Sequence, residues 1–201
     1  MDSIYDSCDI SGYEDIRKRI TGYIKENLSE KRLKHTFAVE KEAASLAEHY
    51  GADVDKARLA ALFHDMCRNY SEKASDMFIR HLGLPAKYEG NRNLAHGKIA
   101  AQLMRRDYGI TDEDLLNAVS FHTTGRAGMS LLEKIVFLAD AIEPARDYPG
   151  VDELRRLAYE DLDKACIRSL EGTIGYIESR GGYLDPDTIN ARDYLKEKTD
   201  L

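Results

Sequence analysis

The sequence predicts an all-α fold, one compact helical bundle over 29–201 behind an N-terminal helical extension at 1–28. Three observations predict it. Apolar residues recur every three or four positions through nearly every segment, the spacing that gives a helix one buried face. The alternating Val/Ile/Thr-rich runs that build strands are missing. Helix-capping patterns stand ahead of several of the apolar repeats.

The first helix is expected over 12–28, because Ser11 and Glu14 make a capping-box pattern and Ile16, Ile20, Ile24 and Leu28 repeat every fourth residue. A second runs from Glu30 to Tyr50 and ends at Gly51. The third, from Asp55 to Arg68, contains the run AALFHDMC at 60–67, with a histidine and an aspartate side by side among apolar residues. Ser71 opens a fourth that closes at Gly83. Pro, Gly and Asn make 84–92 a loop, Asn93 caps a helix reaching Tyr108, and Thr111 with Asp114 opens another reaching about His122. HTTGRAG at 122–128 is then a loop of small and basic residues. Ser130 and Glu133 form a second capping box before Leu132, Ile135, Val136 and Ala139, and that helix stops near Glu143-Pro144. Helices over 151–160 and 162–180, a Gly181-Gly182 break and a short helix after Pro186 complete the chain.

At 201 residues the chain is long enough to bury a substantial core. A net charge of −7 and a pI near 5.4 argue against nucleic acid as a partner, which would want a basic face, while leaving room for a local positive pocket that takes a small anion. No apolar run approaches the roughly 18 residues of a membrane span. The opening MDSIYDSCDI lacks the pattern of a secretory signal, and Cys8, Cys67 and Cys166 are widely spread with no CxxC pair. Reduced thiols in a cytoplasm are expected. The apolar first helix could cover a partner copy in a homodimer.

The six histidines sort by their surroundings. His35 shares a face with Ala38, Val39 and Leu46, His96 with Ile99, Ala100 and Leu103, and His122 with Leu115, Ala118 and Val119. These faces point inward. Asp140 follows Val136 and Phe137 by one turn, and His64 and Asp65 lie in a segment apolar almost all round, the pattern of a central helix. His49 and His81 each stand two residues before a glycine, where an imidazole suits a helix C-terminus, and they are set aside. Any single inward histidine can be a hydrogen-bonded core residue. Four of them with two carboxylates, on five helices, would leave many buried polar groups seeking partners. A metal centre supplies those partners, since imidazole and carboxylate suit Fe, Mn, Zn or Ni and helical bundles build such sites from facing side chains. Six groups exceed the needs of one cation, and Asp65 has two oxygens to share, so a binuclear centre bridged by Asp65 is expected.

The ordered set His35, His64-Asp65, His96, His122 and Asp140 resembles the HD-domain metal-dependent phosphohydrolases, in the form whose two extra histidines imply two metal sites. The stretch HTTGRAGMSLLEKIVFLADAIEPARDYPGVDELR at 122–155 is more specific, and is similar to the branch of symmetrical bis(5′-nucleosyl)-tetraphosphatases. LKHTFAVEKEAASLAEHYG around His35, LAHGKIAA around His96 and GGYLDPDTINAR near the C-terminus match the same branch. The resemblance spans 32–192. It implies an all-α HD bundle, a divalent or mixed-valent centre of binuclear iron, and hydrolysis of diadenosine tetraphosphate beside its central bridging oxygen to give two ADP. Two departures stand out: Ala127 occupies a place where that branch usually has Pro, and Lys98 follows His96-Gly97 where Pro is common. Neither is an expected ligand, and both bear on loop stiffness and substrate preference.

Within that scheme Asp65 positions the attacking water, and His96, His122 and Asp140 border the substrate as well as the metal. Arg68, one turn beyond Asp65, is either a fork-like phosphate contact or a surface arginine at a helix end. Thr123, Thr124, Gly125 and Arg126 form a hydroxyl-rich turn carrying one guanidinium toward the substrate. Arg146 is a second phosphate contact and Arg32 a third. By resemblance Tyr183, Leu184, Asp185, Pro186, Asp187 and Thr188 line the nucleoside pocket, whereas composition alone gives a turn before a helix with Asp185 near its N-cap. Hydrolases of deoxynucleotides, guanosine tetraphosphate or cyclic nucleotides would share the metal chemistry and differ in the pocket. A binding module without catalysis should lack several ligands, and all six are present here.

Overall fold

A computed structural model describes residues 10–199, with side chains from Gly12 onward. Its elements are α1 (Ile10–Asn27), α2 (Glu30–Tyr50), α3 (Val54–His64), α4 (Glu72–His81), a 3₁₀ turn at Ala86–Tyr88, α5 (Arg92–Tyr108), α6 (Glu113–Ser120), α7 (Leu131–Ile142), α8 (Val151–Glu160), α9 (Leu162–Ser179) and α10 (Pro186–Thr199). No strand occurs among the described residues. The fold is all-α, as its sequence predicts.

α3 is the centre of the bundle. Leu59, Ala60, Ala61, Leu62 and Phe63 are at most 2 % exposed, because α1, α2, α5, α6 and α7 all pack around this helix. Burying a side chain such as Leu62 or Phe63 contributes roughly 1.5–3 kcal/mol, and a run of them fixes α3 against five neighbours. Ile20 and Ile24 of α1 are fully buried, so the apolar face of the first helix is spent on α3 within the chain. Cys67 and Cys166 are buried free thiols, and burial pushes the Cys67 thiol up to about 12, which leaves it unreactive. Cys8 lies outside the described residues. Among the described residues no helix is long and apolar enough to cross a membrane.

Several boundaries differ from the sequence expectation, each for a local reason. α1 starts at Ile10, so Ser11 lies inside the helix and its side chain, hence the expected capping box, lies outside the described set. α3 ends at His64 instead of Arg68: the chain leaves through tight turns in which Met66 N–H donates to Phe63 O at 3.1 Å and Arg68 N–H to Asp65 O at 2.9 Å. α5 is capped by Asn91, whose side chain accepts from Leu94 N–H at 3.3 Å, while Asn93 sits inside the first turn and accepts from Arg68 Nη1 at 2.6 Å. α6 is capped by Asp112, whose carboxylate accepts from Asp114 and Leu115, and it stops at Ser120, leaving His122 in a turn. The 84–92 loop carries the 3₁₀ turn, with Tyr88 buried. The Ser130–Glu133 capping box of α7 forms in both halves.

Candidate metal centre

The early ends of α3 and α6 shape the site. Consecutive helical residues point about 100° apart, yet the turn at Asp65 folds its carboxylate back until Oδ2 is 3.5 Å from His64 Nε2. His122 is delivered by the equivalent exit of α6. α2 supplies His35, α5 His96 and α7 Asp140. His96 approaches closely because Gly97 has no side chain, and a Cβ there would stand 2.8 Å from Val119 O and 3.0 Å from the His122 ring.

Each imidazole is held in one tautomer by a partner that can only accept. Nδ1–H of His64 donates to Ala61 O at 2.5 Å, that of His122 to Val119 O at 2.7 Å, and that of His96 to Arg92 O at 3.3 Å. Nδ1–H of His35 donates to the buried Glu143 carboxylate, Oε1 at 3.1 Å. Every Nε2 therefore carries a lone pair, and all four converge. His96 Nε2 and His122 Nε2 stand 3.0 Å apart, His96 Nε2 is 3.2 Å from Asp65 Oδ1, and His35 Nε2 is 3.0 Å from Asp140 Oδ1. His35 Nε2 and His64 Nε2 are buried without a hydrogen-bond partner. The six groups resolve into two triads, His35/His64/Asp140 and Asp65/His96/His122, with ligand atoms within 4.8 Å of one another in each. The two oxygens of Asp65 face different triads, Oδ1 toward His96 and Oδ2 toward His35 and His64.

A buried hollow lined by acceptors is costly unless cations enter it. This donor set of nitrogen and oxygen, with each imidazole oriented by a second bond at Nδ1, fits divalent metal. Three arginines supply positive charge from the rim. Arg32 Nη1 donates to Asp65 Oδ2 at 2.6 Å, Arg146 bonds both the carboxylate and, at 2.7 Å, the backbone oxygen of Asp140, and Arg68 Nε lies 3.9 Å from Asp65 Oδ1. Burial works against charge on Asp65, but the imidazoles of His64 and His96 outweigh it and hold the carboxyl well below its usual range. Asp140 is lowered in the same way, with the facing His35 and His64 imidazoles and the Arg146 guanidinium overcoming burial. Burial, reinforced by the neighbouring imidazoles, drops His122 to about 3, so it stays neutral and able to ligate.

A family model described as HD domain matches residues 32–145, which carry all six of these groups. The chain belongs to the HD-domain family. Its relatives include proteins named symmetrical bis(5′-nucleosyl)-tetraphosphatase from Bacillus subtilis, 39 % identical over 89 % of this chain and 97 % of the relative, and from Halalkalibacterium halodurans, 44 % identical over 86 % and 92 %. A crystal structure from Clostridium acetobutylicum, described as a predicted HD superfamily hydrolase involved in NAD metabolism, superposes with a TM-score of 0.86 at 44 % identity and covers 90 % of this chain and 97 % of that one.

Of the other site residues singled out from the sequence, Arg32, Arg146, Arg126 and Asp187 line one or other of two openings. Arg32 and Arg146 line a cavity of about 660 Å³ at the mouth of the HD centre, together with His35 and Glu143. Arg126, Leu84, Tyr88, Lys98, Phe121 and Asp187 line a second cavity, of about 410 Å³. Thr123 Oγ1 lies 3.1 Å from His122 Nε2 and borders the centre, whereas Thr124 is buried and donates to Gly125 O at 2.9 Å. Gly125 has φ +63 and turns the loop over Ala191. Both arms of Arg126 are committed to Glu133, at 2.7 and 2.6 Å. Tyr183 is 54 % exposed, Leu184 half-buried and Pro186 exposed, while Thr188 is buried. Asp185 is buried too, capping α10 through Asp187 N–H at 3.0 Å and pairing with Lys87 at 3.2 Å.

Two features escaped the sequence reading. Glu143 was read only as the stop of α7, yet it is 2 % exposed and orients His35; a carboxylate one turn after Asp140 on the same inward face was the available signal. Lys98 was read only as a departure from the resemblance, and it is a 7 % exposed lysine at the second cavity.

Proposed function

We propose that this chain is a metal-dependent hydrolase that cleaves dinucleoside tetraphosphates symmetrically, diadenosine tetraphosphate and water giving two ADP. Convergence of six chemically competent groups, all with free lone pairs, on a single hollow carries the reading, and the names of its relatives fix the reaction class. We assign His35, His64, Asp65, His96, His122 and Asp140 as ligands of a binuclear centre, Asp65 bridging, with iron as the metal. Residues 1–28 are assigned as a helical extension of the HD domain at 29–201. Cations in the two triads would bring a bound water toward a pKa of about 7 and neutralise phosphate oxygens.

The protein's own groups then have distinct tasks. Asp65 holds the attacking water in line through the oxygen not engaged by Arg32. Arg32 and Arg146, at the open mouth, neutralise phosphate charge as the polyphosphate enters, and Arg68 meets the charge that develops on the leaving diphosphate. Thr123 donates to a phosphate oxygen beside His122. Glu143 keeps the His35 ring turned inward.

Anaerobic purification with metal quantification, followed by chromatography of products from a panel of dinucleoside polyphosphates, tests the reading. The expected result is two ADP from diadenosine tetraphosphate by iron-loaded protein. AMP plus ATP, or turnover confined to mononucleotides, overturns it.

A further inference from the structure

The C-terminus of α7 leaves the backbone carbonyls of residues 139–142 to be satisfied from beyond the helix. Ala139 O receives the Glu143 amide at 3.1 Å. Pro144 has no N–H to offer Asp140 O, and the next two amides turn to Glu143 instead, that of Ala145 to its carboxylate at 2.7 Å and that of Arg146 to its backbone oxygen at 2.9 Å. Three side chains fill the gap. Arg146 Nε donates to Asp140 O at 2.7 Å, Tyr148 Oη to Ala141 O at 2.9 Å and Arg155 Nε to Ile142 O at 2.9 Å. Arg155 does more than cap the helix. Its Nη2 carries two N–H groups and donates to Glu143 O at 3.1 Å and to Arg146 O at 2.7 Å, while Nη1 is braced by Asp152 at 2.6 Å. One guanidinium thus holds three carbonyls spread along the 142–146 turn, a task for a planar fork and not for the point charge of a lysine.

We propose that Arg155 is a positioning residue: from α8, behind the turn, it aims Arg146 at the entering polyphosphate and keeps Glu143 on His35. The inference rests on the hydrolase reading above for the task of Arg146. That turn bears directly on the centre, since Glu143 accepts from His35 Nδ1–H at 3.1 Å and Arg146 bonds Asp140. Arg155 stands outside the mouth lined by Arg32, His35, Glu143 and Arg146, so it acts through them. Its own helix is seated by other means, because Val151, Leu154 and Ala158 are at most 5 % exposed and α8 packs on α7 and α9. Loss of the guanidinium therefore frees the turn and leaves the helix in place. Small displacements of a substrate-positioning group are enough to be read in kinetics.

Turnover of diadenosine tetraphosphate at saturating metal, in a double-mutant cycle of Arg155→Met with Arg146→Met, tests the assignment. Arg155→Met should raise KM about tenfold with kcat held within about twofold, the mark of lost substrate binding. It should add nothing to the KM of Arg146→Met. Arg155→Lys keeps the charge without the fork, should raise KM likewise, and carries the test should Arg155→Met not fold. A residue that merely held the fold together would lower the active fraction, hence kcat, and leave KM alone. A second cycle needs no substrate: chelator competition should find metal affinity lowered in Arg155→Met and lowered no further when Glu143→Gln is already present. Additive losses in either cycle, or a KM unaltered in the Arg155 variants, overturn the proposal. Absence of turnover by the wild type removes the hydrolase reading alone, because the chelator cycle still decides whether Arg155 acts through the turn.

Discussion

The two cavities flanking α5 are opposites. On one side of the helix His96 joins five other groups in a surplus of buried acceptors, two of them without a hydrogen-bond partner, and on the other the Lys98 side chain lies mostly buried against the Phe121 ring beside an open cavity. In a folded chain nearly all buried polar groups find partners, so the surplus of acceptors marks a place where the protein is completed by something outside it. The acceptor surplus calls for cations, whereas the lysine already rests on ring faces at the edge of an open cavity. The first is shared by six residues on five segments and tolerates no partial loss; the second rests on one side chain and should be tunable.

The difference is sharpest when the acceptor side is dismantled. Asp65→Ala removes the one group that faces both triads, and should abolish hydrolysis and empty the centre of metal as read by mass spectrometry. A variant retaining full metal would show that the triads are held by hydrogen bonds alone. Leaving the side chains intact and removing the metal tests the same point through stability. A ligand present at a hundred- to a thousandfold its Kd stabilises by about 2.7–4.1 kcal/mol, so chelated protein should unfold at a clearly lower temperature in calorimetry, and readdition should restore it. An unchanged transition would mean that the hollow is content without cations.

Next in size is the support of the ligands. Glu143→Gln retains the shape but replaces the carboxylate that accepts from His35 Nδ1–H, and partners of this kind are worth about 10–100-fold in metal affinity. Titration with a competing chelator measures it. Gly97→Ala attacks the shared helix itself. Its methyl would stand 2.8 Å from the backbone oxygen of Val119, a contact that cannot swing away, so overpacking should cost about 1–3 kcal/mol in urea unfolding and weaken metal binding by displacing His122.

How much of this was legible in the sequence follows the same division. The helices were legible because apolar spacing and caps such as Ser71 and Ser130 are local, and the metal ligands were legible because six polar groups on inward faces conflict with burial unless they meet. The exits of α3 and α6 were not: AALFHDMC continues the helical spacing through Arg68, and only the packed structure shows that turning at Asp65 brings two adjacent side chains into one hollow. Glu143 and Lys98 were missed because their meaning lies in what surrounds them. Glu143 reads as a helix end until His35 is placed beside it from α2, and Lys98 reads only as a departure from the resemblance until Phe121 and Tyr88 are seen to lie against it.

The smallest predicted effect decides whether the second cavity belongs in the comparison. Were Lys98 a structural element, its ring contacts would stabilise the fold and Lys98→Met would weaken it. Burial instead pushes the Lys98 ammonium down to about 8, the carboxylate charges of Asp187 and Asp185 offsetting it only in part, so the folded state bears a desolvation penalty that an apolar side chain of similar length removes. Lys98→Met should therefore be more stable than the wild type by about 1 kcal/mol at neutral pH, read from urea midpoints at unchanged slope. Stability falling instead would return Lys98 to the core and leave the metal hollow as the incomplete region beside α5.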